Sequence, residues 1–197
     1  MKSYYLPLVL CACLGLLPNY SHGHALNNKL YSTGEPLSKP RAMTGFIEMQ
    51  YARGIPEVPF IDEAGKTQTL AQYQGKLTLV NLWATWCAPC LREIPELQKL
   101  QQQYQGKNLN IVPISIDEEI QDVRPFLNKY GFNNYSTWLD PNKNIEGIVP
   151  TTVVPASYFF DAKGNLVGFI RGYLDWGDKD VVSYLDQLIA KYAPVSQ

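Results

Sequence analysis

The chain has 197 residues with 17 Lys plus Arg against 18 Asp plus Glu. That length suits one folded core and a targeting segment rather than two enzymatic domains. Hydrophobic residues make up 46% and charged residues 18%, which excludes a disordered chain. The interspersed signs leave no basic footprint for nucleic acid or an anionic membrane surface.

Met1-Lys2-Ser3 supplies a short basic start, Tyr4 to Leu17 is an apolar run broken by Pro7, and Gly23-His24-Ala25 offers small residues for cleavage. The run is shorter than the ~20 residues a spanning helix needs, so residues 1–25 are expected to be a secretory signal, with the mature chain starting near Leu26. A second reading makes Cys13 a lipidation site, although the residues after it stay apolar. Either reading exports the domain.

Without that segment, Cys87 and Cys90 are the remaining cysteines and no histidine is left, since His22 and His24 precede the cut. Two cysteines cannot supply the four ligands of a structural zinc site, and no metal or cofactor is expected. A Ser-His-Asp triad or Cys-His pair lacks its base.

Residues 26–56 are rich in Asn, Ser, Gly, Pro and charge. They read as a leader of poor packing potential, with a short helix over Met43 to Tyr51. Val58 to Ile61 and Lys66 to Leu70 flank a turn at Asp62-Glu63-Ala64-Gly65, predicting a β-hairpin ahead of the main fold. Leu77 to Trp83 reads as a strand covered on both faces. Cys90 to Tyr104 reads as a helix kinked at Pro95, Leu109 to Ile116 as a second buried strand, and Ile120 to Tyr130 as a helix. A short strand at Ser136 to Leu139, a helical turn at Asn144 to Ile148, a hairpin of Ala156–Phe160 with Leu166–Arg171, and an amphipathic helix from Asp178 to Tyr192 complete the chain. The βαβ half followed by a ββα half predicts an α/β domain over residues 57–193, with a central mixed sheet and helices on both faces.

Trp83-Ala84-Thr85-Trp86-Cys87-Ala88-Pro89-Cys90 lies where a buried strand ends and a helix begins. First-turn N–H groups and the helix dipole stabilise a thiolate there, so Cys87 is expected to have a pKa below the free value of about 8.5 and to act as nucleophile. Cys90 is placed to resolve the resulting mixed disulfide. A merely stabilising bridge explains this spacing badly, because so short a loop removes little chain entropy. Trp83 and Trp86 are expected to pack around the dithiol and exclude water, and Asp117-Glu118-Glu119 to start a helix.

These residues resemble the TlpA/ResA-like group of exported thiol-disulfide oxidoreductases with a thioredoxin-like fold. The similarity spans about Val58 to Tyr192 and includes Leu79 to Cys87, Pro95 and Arg171 to Trp176. The resemblance implies a cis-proline opposite the dithiol, assigned to Pro155 rather than Pro150 from its spacing to Asp161. With Val154 and Trp86, Pro155 would bind an extended substrate segment. Asn81 replaces the buried carboxylate of similar thioredoxins and cannot exchange a proton. Glu93, one helical turn after Cys90, matches a glutamate beneath the active site of ResA-like proteins and is expected to relay the proton. A solvated first-turn glutamate is the plainer alternative.

The resulting expectation is a periplasmic, monomeric reductase of disulfides in exported proteins. It would be fed by a membrane thiol-disulfide donor and would serve cytochrome c-type or copper-oxidase assembly. The uncharged Ala88-Pro89 pair favours reduction over oxidation. The rival is a Cu(I)-binding assembly factor using the two thiolates.

Overall fold

The computed structural model describes residues 28–194, so the expected signal and the Cys13 lipidation site lie outside the described residues. The elements are β1 (Lys29–Ser32), β2 (Ile47–Arg53), β3 (Phe60–Ile61), β4 (Thr67–Gln68), β5 (Leu77–Trp83), α1 (Ala88–Gln103), β6 (Leu109–Ser115), α2 (Val123–Lys129), β7 (Trp138–Leu139), β8 (Ala156–Phe160), β9 (Leu166–Arg171) and α3 (Lys179–Tyr192). They form one mixed sheet in the order β1-β2-β9-β8-β5-β6-β7-β3-β4. β6 runs parallel to β5 and to β7, while β8 is antiparallel to both β5 and β9. This is the α/β architecture the hydrophobic pattern predicts, including the hairpin of β3 with β4.

Every residue of β5 is buried. Leu77 and Leu79 enter one cluster with Leu97 and Leu100 of α1 and Val181, Tyr184, Leu185 and Leu188 of α3. Val80 and Leu82 join Phe60, Val112, Ile114, Trp138, Ile145 and Ile148 on the opposite side. Since alternate strand residues face opposite sides, Asn81 and Trp83 share the α1 face with Leu79. That parity sets up the site.

The leader differs from expectation. Met43, Phe46 and Ala52 are fully buried, and of the segment expected to be a short helix, Met43 ends a single 3-10 turn while Ile47 to Tyr51 belong to strand β2, paired with β1 and β9. The unpaired edge of β9 offers a row of hydrogen-bonding groups, and pairing with it overrides local helical preference. Glu48 fastens β2 to α3: its carboxylate accepts hydrogen bonds from Lys191 Nζ and Tyr192 Oη, both at 2.6 Å, and from the Leu37 N–H at 2.8 Å. Burial acts to raise the Glu48 carboxyl, but the Lys191 and Tyr192 contacts outweigh it and hold the pKa below the usual value.

Phe46 crosses β9 over Gly168 and packs edge-on against Phe159 (5.2 Å) and Tyr184 (5.7 Å). A Cβ at residue 168 would lie 2.5 Å from Phe46 Cζ and 3.0 Å from the Ile47 carbonyl oxygen. Gly168→Ala therefore displaces the leader and costs about 1–3 kcal/mol by overpacking, measured by urea unfolding. In the Gly168→Ala/Phe46→Leu double variant the loss is smaller than the sum of the single losses. Full additivity would show that the two residues do not compete for space.

Candidate active site

At the end of β5 the Ile116 N–H donates to the Trp83 carbonyl at 3.0 Å, and the Cys87 N–H donates to the Ala84 carbonyl at 3.1 Å, closing the turn toward the dithiol. Asp117 pins that turn. Its carboxylate accepts from the Thr85 N–H at 3.0 Å, Thr85 Oγ1 at 2.7 Å and Ser115 Oγ at 2.7 Å. Asp117, expected at a helix start, instead bridges β6 to the active-site turn. An acid two residues past a buried strand was the available signal.

α1 begins at Ala88, two residues before the predicted start at Cys90, because proline is tolerated in a helix's first turn where its missing N–H costs nothing. Cys87 is the N-cap in extended conformation, and its Sγ accepts the Cys90 N–H at 3.3 Å. A sulfur thus occupies the place where a side-chain oxygen commonly satisfies an orphan helix N–H. Pro95 lies inside α1 as expected.

Cys87 and Cys90 form a disulfide with Cα atoms 5.4 Å apart. They are 4% and 1% exposed, so in this oxidised state the bridge is nearly enclosed. Around it pack Trp83, Ala84, Ile94, Val123, Leu127, Tyr135 and Leu139. The two tryptophans part company: Trp83 is buried and donates its indole N–H to Thr137 Oγ1 at 2.9 Å, whereas Trp86 is 68% exposed. Trp86 therefore does not shield the bridge. It borders a cleft of about 500 Å³ lined also by Thr85, Ile116, Glu118, Lys143 and Thr152.

The register of β5 with β8 pairs Leu82 with Ala156, so the residues before β8 come to the dithiol end of β5. The Val154–Pro155 peptide is cis. Val154 is partly exposed and packs against the cluster that holds the two cysteines. Pro155 is buried, and its carbonyl accepts the Gly172 N–H at 2.7 Å. Pro150 has a separate task, its carbonyl accepting the Tyr158 hydroxyl at 2.5 Å.

Glu93 is 1% exposed, which removes the solvated alternative. Its Oε1 accepts the Leu174 N–H at 2.8 Å and its Oε2 the Asn81 Nδ2 at 3.1 Å. Burial pushes the carboxyl up to about 7 even though those N–H groups pull it down. Tyr135 is buried nearby, and desolvation together with the charge of Glu93 raises its hydroxyl. The loop after β9 is held to α1 at two further points: the Trp176 N–H donates to Glu96 Oε2 at 3.0 Å, and Arg92 lies 4.5 Å over the Tyr173 ring. Thr137 and Ser157 have no signature in the sequence, because a lone hydroxyl in an apolar stretch carries no spacing signal.

Among the described residues no group of three or more His, Cys, Asp and Glu side chains is placed to hold a metal ion. The sulfur pair at a helix start, with a buried carboxyl one turn below, can form and release a disulfide bond.

The AhpC/TSA family pattern matches residues 52–168. The chain is 31% identical over 125 residues to the thiol-disulfide oxidoreductase ResA of Bacillus anthracis, covering 64% of this chain and 72% of that protein. Against ResA of Bacillus subtilis (strain 168) it is 23% identical over 150 residues, covering 76% of each. A thioredoxin-family thiol:disulfide interchange protein from Chlorobium tepidum TLS superposes with a TM-score of 0.55 at 27% identity, over 66% of this chain and 93% of its own. A secreted thiol-disulfide isomerase from Corynebacterium glutamicum shares the fold with a TM-score of 0.62 at 18% identity, over 84% of this chain and 99% of its own. Fold, dithiol placement and sequence agree, and the chain belongs to the thioredoxin-like AhpC/TSA family.

Proposed function

We propose that the protein is a thiol-disulfide oxidoreductase that reduces disulfides in exported proteins. The observation that carries the reading is the Cys87–Cys90 bridge at the first turn of α1, with the Cys87 sulfur as N-cap. In the reduced enzyme the Cys87 thiolate attacks one sulfur of the substrate disulfide. A Cys87–substrate bond forms, the substrate S–S bond breaks, and the first substrate sulfur leaves as a thiolate that takes a proton. Cys90 then gives up its proton, Glu93 being the acceptor one helical turn away, and its thiolate attacks Cys87 Sγ. The Cys87–Cys90 bond is restored and the second substrate sulfur leaves. Two electrons pass from enzyme to substrate.

The substrate segment is assigned to the exposed Trp86 beside the cleft and to Val154, with the buried Pro155 acting through the backbone of Val154 rather than as contact surface. Exposure of Trp86 and the position of Val154 one residue before Pro155, outside the β8 ladder, support this. The reducing direction follows from electrostatics. Nothing cationic lies between the cysteines, and an ionised Glu93 opposes negative sulfur, so the dithiol is not over-stabilised. Export through residues 1–25, a periplasmic location, a monomeric state, a membrane electron donor and a role in cytochrome c-type or copper-oxidase assembly complete the reading. They rest on the N-terminal pattern and on the kinship with ResA. Among the described residues no helix is long and apolar enough to cross a membrane.

Replacing Cys90 by Ala leaves Cys87 unable to release what it captures. Disulfide-linked adducts through Cys87 accumulate in the exporting host, and turnover on a disulfide substrate falls by about a hundredfold or more. An adduct-free variant would contradict the mechanism. If the reduced protein takes up one equivalent of Cu(I) and reduces no disulfide, the copper-binding alternative replaces it.

Because Glu93 titrates near 7, its charge raises the thiol pKa values above that pH. In Glu93→Gln the pH midpoint of iodoacetamide alkylation moves downward by about one unit. An unchanged profile would remove Glu93 from the proton path.

A further inference from the structure

Asn81 is 1% exposed on β5, and its Nδ2 contacts Glu93 Oε2 and Ser157 Oγ, each at 3.1 Å. A primary carboxamide has two N–H donors, and both are engaged here. With Glu93 ionised the carboxamide must present its N–H: rotated by half a turn, Asn81 Oδ1 would face the carboxylate and repel it. Ser157 is 2% exposed on β8, so all three polar side chains lie inside the fold and none exchanges its partner for water.

We propose that Asn81 is a positioning residue for Glu93. Held by Ser157 from the neighbouring strand, its carboxamide fixes one carboxylate oxygen on the dithiol side of the sheet and selects the ionised form of that carboxyl. The inference rests on the assignment of Glu93 as proton acceptor for Cys90 and extends it to two residues that touch neither sulfur nor substrate.

The arrangement explains why residue 81 is not an acid. An Asp there would set two carboxyl groups about 3 Å apart in a buried site, where like charges cannot both ionise and one proton is shared. Asn keeps the shape of Asp and turns a repulsive oxygen into a donor. Glu93 then titrates as a single buried acid.

The other groups facing Glu93 come from three directions. Glu96 on α1 opposes its ionisation, and the Leu174 N–H from the loop after β9 favours it, while the buried Trp176 indole N–H of the same loop makes no hydrogen bond. Tyr135 and Tyr173 feel its charge, and Arg92 is stacked on Tyr173. The backbone N–H of Leu174 holds the other carboxylate oxygen, Oε1, at 2.8 Å.

The test is the carboxyl titration of Glu93 by carbon-13 NMR in the oxidised protein, where the disulfide removes thiol titration from the window. Asn81→Leu raises the Glu93 midpoint by about one unit or more, the effect of deleting a hydrogen bond to a buried charge. Ser157→Ala moves it in the same direction by less, since the carboxamide loses its guide. Asn81→Asp replaces the single transition by two coupled ones, the upper lying above the Glu93 midpoint of the parent protein.

Near-ultraviolet circular dichroism identifies which variants keep the native fold. If Asn81→Leu does not fold, Ser157→Ala and Asn81→Asp decide the matter. Folded variants in which Glu93 titrates as in the parent would overturn the proposal. Failure of the underlying reading looks different: with Asn81 intact, Glu93→Gln would then leave the pH profile of thiol alkylation unchanged.

Discussion

The structure turns on the contact between the Cys87 sulfur and the first turn of α1. The Cys90 N–H points at that sulfur from 3.3 Å, and the aligned peptide dipoles behind it add partial positive charge. A sulfur so placed leaves as a thiolate more readily than a free one, and that is the requirement for breaking and remaking a disulfide. The rest of the fold supplies this helix start with a rigid mounting. β5 is buried along its length between two strands, Asp117 ties its terminal turn to β6, and Trp83 anchors to Thr137.

Against the helix end stands a buried carboxyl. Glu93 lies on the same helix one turn further on, enclosed by β5 and the loop after β9. The helix end favours negative charge at sulfur and Glu93 opposes it, so thiol ionisation is set by a difference of two local fields. Burial of both the bridge and the carboxyl keeps solvent from screening either. Specific hydrogen bonds therefore matter more here than the chain's near-zero net charge.

The elements legible in the sequence were those whose local pattern agrees with their tertiary role. The apolar run Leu77 to Trp83 coincides with β5, and the dithiol spacing marks the strand-to-helix junction. The hairpin of β8 and β9 and the face of α3 follow their hydrophobic periods. The leader is not legible in its own residues because β2 exists only by pairing with β9, a partner more than a hundred residues away in sequence. The task of Asp117 is hidden for a similar reason: its partners Thr85 and Ser115 come together only when β5 and β6 pair. Glu93 was legible in position but not in environment. Its burial depends on the loop at Leu174 closing over α1, which no local pattern announces.

The direct measure of whether the Cys87–Cys90 pair is a working redox couple is its equilibrium with reduced and oxidised glutathione, read by counting alkylated thiols. The structural account predicts full reversibility and a midpoint far more reducing than the about −120 mV of a strong thiol oxidant. A bridge that stays closed at every glutathione ratio and under stronger dithiol reductants, or a midpoint near −120 mV, would contradict it.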